Sequence, residues 1–568
     1  MTSHRPPVAR AALRLLIPAT LFAVLGILVV APFGMLVFAS LATKLPFSGE
    51  AGVAFTLANY QALWTPVMGA ALVNTIIVSL GGAALAMIFG CGMAWLVART
   101  DIPCKPLVHV AGVMPLFVSL LVAALSWSLL GAGRTGYINV VLEGVGLPFR
   151  VNMQSLTGIA IVHGLYYAPY PFIFLFGALN LVHPDMEEAA AVHGGDVRRI
   201  LGHVTFPLVK PALLGSLILV VVLMAEEFPV PQILGAPVGI ETLSIRVFKL
   251  IGRVPSLPNQ AAAVSIVLTA MVCVLVFTQH RVLRGRDYRT VTGKGAQSRP
   301  VHLGRLRWCA TGFVALYAFV AIVLPLFALA QGALRSNLYV PNMAALFDLS
   351  QFSAGRLVEA FESRTVRDGL ANSLLAGVSA AVLGSVFFFI LACVVHRTSL
   401  PGRKHLEYVV MAPVAVPALV MGMGILWTWL AIPLPVYGTI WILILAFLTR
   451  FMPQGYRAVS SSVAQIHDDL GHAALIAGAT PARMAWEIIL PLARGGVAAS
   501  FFLMVVLGMR ELTASLFLYN TDTRLLSIVI YENYENGDWG SVASISLIYT
   551  AALVLLTLVG QRWMRARP

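Results

Sequence analysis

Long apolar stretches alternate with short polar ones along almost the whole of this chain. A helix needs about 20 mostly apolar residues to cross a bilayer, and twelve stretches reach or approach that length. They are residues 13–41, 68–98, 107–131, 156–181, 208–225 and 261–280, then 309–334, 370–396, 406–431, 437–449, 495–509 and 541–559. The tenth and eleventh are short as counted and are expected to extend into their flanks. In hydrocarbon the backbone must satisfy its own hydrogen bonds, so each stretch is read as a helix. The pattern predicts an all-α polytopic membrane protein with about twelve transmembrane helices.

Composition agrees. Of 568 residues, 59% are apolar and 11% charged, against about 25% charged in soluble domains. The net charge of +14 raises the question of nucleic acid, and its placement answers it. With the N-terminus in the cytoplasm and alternating spans, the C-terminus is also cytoplasmic. The Lys and Arg surplus then falls inside, as orientation by basic loops requires. The most basic connection, "RVLRGRDYRTVTGKGAQSRPVHLGRLR", joins the sixth and seventh spans on that side and suits anionic membrane lipids. No aromatic stacking pattern accompanies it, so no nucleic-acid partner is expected. The first apolar run is longer than the roughly 7–15 residues of a signal-peptide core, so it is read as an uncleaved first helix. Cys91, Cys104, Cys273, Cys309 and Cys393 form no CxxC pair and are read as small buried hydrophobes.

The chain repeats itself. "NTIIVSL" at Asn74 resembles "NSLLAGV" at Asn372, and Arg99, Thr100, Pro103 and Pro115 match Arg397, Thr398, Pro401 and Pro413 at a spacing of 298. Later landmarks match at 284: His183 with His467, Asp185 with Asp469, Gly194 with Gly478, Pro207 with Pro491, Glu227 with Glu511. The expected halves are residues 1–280 and 309–568, joined by the basic linker 281–308. Each holds six helices in one orientation, which predicts two parallel-repeated six-helix bundles facing each other about an axis along the membrane normal.

Between the fourth and fifth spans of each half lies a polar segment, about residues 185–208 and 468–492, on the cytoplasmic side. Each is read as two short helices. In the first, Asp185 and Glu188 have capping-box spacing, Gly194 stops the helix, Asp196 caps a second, and Pro207 ends it. In the second, Asp468 or Asp469 starts the helix, Gly478 stops it, and Thr480 caps the next with Pro481 at its first position. Two matched elements on one face of a two-fold bundle suit docking onto a two-fold partner.

These segments, "EAAAVHG…VTFP" and "HAALIAG…IILP", resemble the EAA loop of ABC importer permeases. "AWLVARTDIP", "YYAPYPFIF" and "GMRELTASLFLYNTDTRLLSIVIYENYENG" extend the resemblance to fused two-half permeases of the ferric-iron type, relatives of thiamine, polyamine and phosphonate permeases. The resemblance implies a type I importer permease of the bacterial inner membrane. It implies a separate ABC ATPase dimer inside and a periplasmic or lipid-anchored substrate-binding protein outside. By position, Glu188, Ala189, Ala190 and Gly194, with Pro207, would dock the first half on the ATPase. His472, Ala473, Ala474 and Gly478, with Pro491, would dock the second. His472 departs from the expected Glu, so the two interfaces are expected to differ. Ferric iron is the first substrate implied, with thiamine, polyamine and phosphonate as alternatives.

The chain has no GxxxxGK[ST]; "TGKGAQS" lacks both the first glycine and the hydroxyl residue. ATP hydrolysis is therefore assigned elsewhere, and the chain is not read as an enzyme. No cofactor, catalytic set or metal site stands out. His183, His193 and His203 recur every ten residues, which places no two on one helix face. Ionisable groups at membrane depth are functional candidates, so Glu227 and Glu511, beside Glu226, are candidates for the translocation path. So are Tyr167 and Tyr170, beside Tyr166. The competing readings are acids in the outer headgroup region, with Glu511 paired to Arg510, and a packed aromatic cluster at a proline kink. His163 is read as a packed, hydrogen-bonded histidine. An ion-gradient-driven transporter also predicts twelve helices but not the paired short helices, and a polytopic membrane enzyme lacks a clustered catalytic set.

Overall fold

The computed structural model describes residues 7–45, 52–133, 135–182, 184–283 and 301–565. His183 and most of the basic linker lie outside these residues. Among the described residues, nine helices are long and apolar enough to cross a membrane. Two further spans are bent pairs: Lys105–Phe117 with Leu120–Gly131 at 98°, and Arg403–Ala415 with Ala418–Ala431 at 114°. The short apolar helix Ile440–Arg450 continues after one residue as Met452–Ala464 and supplies the tenth span.

The third and ninth spans are thus not the straight helices of the hydrophobic pattern. Pro115 and Pro413 sit in matched 3-10 turns, Met114–Phe117 and Ala412–Ala415, each followed by an extended residue. A proline removes one helical donor and clashes with the preceding turn, so each span breaks there.

In each half a 34-residue second span, Pro66–Arg99 or Arg364–Arg397, packs against the fourth and fifth spans. The repeated Asn-Thr/Ser pairs on these helices have one task. Asn74 Nδ2 donates to the Glu241 carbonyl and Asn372 Nδ2 to that of Asp522, both at 2.9 Å. Thr75 and Ser373 each accept, also at 2.9 Å, the first amide of the helix that follows, at Leu243 and Leu526. They hold the buried return segments after the fifth spans.

The first spans bridge the halves, each packing on the last span of its own half, Pro258–Leu283 or Trp539–Arg565, as well as on the other half. Ala31–Leu41 packs on Ala418–Ala431 of the second half, and Leu324–Leu334 packs on Leu120–Gly131 of the first. The approach is close: a Cβ on Gly424 would lie 2.6 Å from the Pro32 carbonyl oxygen. One continuous core therefore crosses the two bundles.

Two expectations need correction. Pro207 and Pro491 do not end their helices. Leu201–Thr205 and Ala485–Ile489 are π turns that run straight into the fifth spans, Phe206–Ala225 and Leu490–Arg510. The wider turn shifts bonding to i→i+5 and accommodates a proline that has no N–H to offer. Nor are the cysteines a buried set: Cys104, Cys273 and Cys309 are exposed on this chain, and Cys91 and Cys393 are intermediate. A lipid-facing helix surface is as apolar as a core, so apolar pattern does not distinguish the two.

Candidate functional site

Two regions collect the candidate residues. The first is the pair of short helices, Pro184–Val192 and Asp468–Ile476. The first begins two residues earlier than capping by Asp185 requires. Pro184 takes the first position, where its fixed φ suits a helix start. The side chains of Asp185, Glu188 and His472 lie outside those described. Both helices stop in one way. Gly194 and Gly478 adopt φ of +80° and +89°, a left-handed conformation that costs other residues. The next amides, Gly195 and Ala479, bond back to the Ala190 and Ala474 carbonyls at 3.0 Å in both copies. Asp196 Oδ1 then accepts the Arg199 amide at 3.0 Å and Thr480 Oγ1 the Arg483 amide at 3.2 Å. Two different caps perform one function at equivalent positions.

These helices present what the sequence reading overlooked. Val192 is 85% exposed and its equivalent Ile476 88%; Met186 and Leu470, also equivalent, are about half exposed. Ala189 and Ala473 are exposed beside them. Among the described residues, and chain neighbours aside, nothing lies within 4 Å of a Cβ built on Gly194 or Gly478. The signal was present as apolar residues recurring at matched places in a polar segment.

An arginine anchors each short helix. Arg99, at the end of the second span, donates to the Leu179 and Val182 carbonyls and lies 3.5 Å from Glu187. Glu187 accepts from Thr205 Oγ1 at 2.7 Å, which ties the short helix to the π turn. Arg397 donates to the Val463 and Ile466 carbonyls and pairs with Asp468. Thr100 and Val301 form a parallel bridge beside the first anchor, so the end of the linker lies on the same face. His193 and His203 bond only to the carbonyls one turn before them, at 2.8 and 3.1 Å, among the described contacts.

The second region is a cavity of about 160 Å³ between the halves, beyond the C-termini of the fifth spans. Glu226, Glu227, Tyr166, Tyr167 and Tyr170 of the first half line it, with Arg450, Arg510 and Glu511 of the second. All four path candidates therefore meet at one place. The acids are not locally paired as the alternative had it. Glu226 Oε1 accepts from Arg450 of the other half at 2.8 Å. Arg510 turns from Glu511 to the Leu116 and Val118 carbonyls. Glu511 caps its own turn at the Ala514 amide, 2.8 Å. His163 is fully buried, with Nε2 3.3 Å from Glu227 Oε2, in keeping with a packed histidine.

Toward the face opposite the short helices, Phe228, Phe248, Phe517 and Tyr531 form a ring cluster, and Gln232 Nε2 donates to Tyr531 OH at 3.1 Å across the halves. Arg450 was not among the sequence candidates. It ends the tenth apolar stretch, where a lone charge at membrane depth is itself a signal. The repeat hides it, because the equivalent position in the first half is Tyr166.

Comparison with known proteins gives a consistent result. The family described as "binding-protein-dependent transport system inner membrane component" matches twice, at residues 82–286 and 389–567. A ferric transport system permease protein of Actinobacillus pleuropneumoniae is 24% identical over 490 residues, 85% of this chain and 70% of its own length. A putative ferric transport system permease protein of Haemophilus influenzae is 25% identical over 459 residues, 80% of this chain and 71% of its own. A putative 2-aminoethylphosphonate transport system permease protein of Salmonella typhi is 26% identical over 256 residues, 44% of this chain and 94% of its own.

Proposed function

We propose, for a chain that belongs to the binding-protein-dependent transport system inner membrane component family, that it is the fused permease of an ATP-driven importer carrying ferric iron. The short-helix face is cytoplasmic and docks two copies of a separate ATPase subunit. A soluble or lipid-anchored binding protein delivers cargo at the opposite face. The cavity between the halves lies on the translocation path.

One observation carries the coupling part of this reading. The same glycine-stopped helix, with two exposed apolar side chains at matched positions, occurs once in each half on one face. Exposed apolar groups on an otherwise polar element mark an interaction site. The unoccupied space around Gly194 and Gly478 leaves room for a cleft to close over the helix end. A pull on either helix passes through Arg99 or Arg397 to the second and fourth spans of its half. The halves then move relative to each other about the charged cavity, opening it to alternate sides.

The cargo rests on the two ferric permease relatives; three carboxylates in the cavity wall suit a cation. A gentle detergent pull-down of the tagged chain, with mass spectrometry, tests the architecture. A stoichiometric ATPase carrying a P-loop is expected, and a chain that purifies alone yet moves solute on an ion gradient would overturn it. Uptake in a deletion strain, with iron, thiamine, polyamine and 2-aminoethylphosphonate compared, tests the cargo. Normal iron uptake in that strain would remove iron from the reading.

A further inference from the structure

The cavity holds more acid than the structure uses. Glu226, Glu227 and Glu511 all line it. Glu226 and Glu227 are each 6% exposed, yet among the described residues Glu226 Oε2 and Glu227 Oε1 have no hydrogen-bond partner, while Glu227 Oε2 accepts from the Val230 amide at 3.1 Å. Buried carboxylate oxygens are costly to leave unsatisfied. Of the two arginines, Arg510 is committed to backbone carbonyls of the third span. Arg450 alone reaches a carboxylate, Glu226, and its other Nη donates to the Val416 carbonyl at 3.2 Å. It comes from the other half, at the end of Ile440–Arg450, a helix that packs mainly within the second half and also touches the first half at Gly26–Val30.

We propose that this cavity is a site for a hard multivalent cation, and that the guanidinium of Arg450 holds the cation's place while the halves are in the present arrangement. Carboxylate and phenol oxygens are ligands for hard cations, and Glu226, Glu227, Glu511, Tyr167 and Tyr170 supply them. A tethered cation of single charge neutralises part of this acid and keeps free ions in the surrounding solution from settling there. When the halves part, Arg450 withdraws with the second half and the carboxylates are released to cargo. Among the described residues no three acidic, histidine or cysteine side chains converge to hold an ion as they stand, which is the condition expected with the arginine in place. The identity of the physiological cation rests on the importer reading; the existence of the site does not.

The test compares variants that break one ion pair from its two ends. Thermal unfolding of the purified full chain is followed with manganese chloride, against choline chloride at equal ionic strength. Arg450→Gln exposes the acids and is expected to gain a saturable, manganese-specific rise of about 2 °C or more in midpoint. Glu226→Gln loses the same ion pair but keeps the arginine, and no such rise is expected; wild type should show none. The double variant E226Q/R450Q leaves neither charge of the pair without its counterpart and is the safer fold. It should still bind manganese through Glu227 and Glu511, at least about 10-fold more weakly, a difference of about 1.4 kcal/mol. A folded R450Q or double variant without a manganese-specific shift would overturn the site. So would equal shifts in R450Q and E226Q, because the pair would then be a latch between the halves and the arginine no substitute ion. The assay needs neither ATP nor partner. A shift without iron uptake would therefore remove the proposed cargo and leave the site standing.

Discussion

Arg99 and Arg397 stand 298 residues apart and make one contact twice. Arg99 Nη2 donates to the carbonyls of Leu179 and Val182, and Arg397 Nη2 to those of Val463 and Ile466, which are their equivalents 284 residues on. The acids differ. Glu187 is 18% exposed beside Arg99, whereas Asp468 is 75% exposed beside Arg397. Each guanidinium fixes the exit of the chain from the fourth span into the short helix.

Removing either arginine should therefore loosen its short helix, but unequally. Bonds from a charged donor contribute about 1.5–3 kcal/mol, while a pair with an exposed acid adds about 0–1 kcal/mol. Arg99→Gln also leaves the less exposed Glu187 without its cation, with only the Thr205 hydroxyl still donating to it among the described contacts, so it should lower the unfolding midpoint more than Arg397→Gln. Both should hydrolyse ATP with less uptake per ATP in the reconstituted complex. Equal midpoints, or unchanged coupling, would contradict the shared anchoring role.

The two stop glycines should tolerate little. Placing a β-carbon at φ near +80° costs about 1–2 kcal/mol, yet it meets no packing clash among the described residues. Gly194→Val and Gly478→Val should thus insert normally but fail to transport, and normal uptake by both would sink the docking reading. Alanine at either position should give an intermediate loss.

The exposed apolar pairs separate docking from folding. Val192→Asp and Ile476→Asp remove no contact from the core, so the melting midpoint of the isolated chain should stay within about 0.5 kcal/mol equivalent. Copurification of the ATPase should fall sharply in each and vanish in the double variant. Retained copurification in the double variant would place the interface elsewhere.

Asp101 gives the linker a pH-dependent attachment. The Leu303 amide, followed by the His302 side chain, holds its carboxyl below the usual range. A depressed carboxyl stabilises the attachment above the unfolded value of about 3.9. That contribution is lost as pH falls through the lower folded value. Hydrogen exchange at Val301 and Leu303 should therefore accelerate, relative to intrinsic rates, only under strong acid. Asp101→Asn should show the faster exchange already at neutral pH, and indifference to this change would mean the backbone bridge alone holds the linker.

The sequence by itself determined the class, the repeat and the paired segments. Apolar runs long enough to span a bilayer admit only helices, and Gly194, Gly478, Asp196 and Thr480 act through local backbone geometry that needs no distant partner. Where a local signal met a competing geometry it misled: Pro207 and Pro491 read as stops, but the π turns before them carry the helix through. Tertiary structure alone decided the bridging of the halves by their first spans, the matched anchors of Arg99 and Arg397, and the meeting of Glu226 with Arg450 across 224 residues. Pattern ranks how apolar a residue's surroundings must be. It does not say which half supplies them, because lipid, the chain's own bundle and the opposite bundle are equally apolar neighbours. A buried charge is the exception: it requires specific polar partners, carbonyls for Arg510 and a carboxylate for Arg450, and only the packing of the two halves names which ones.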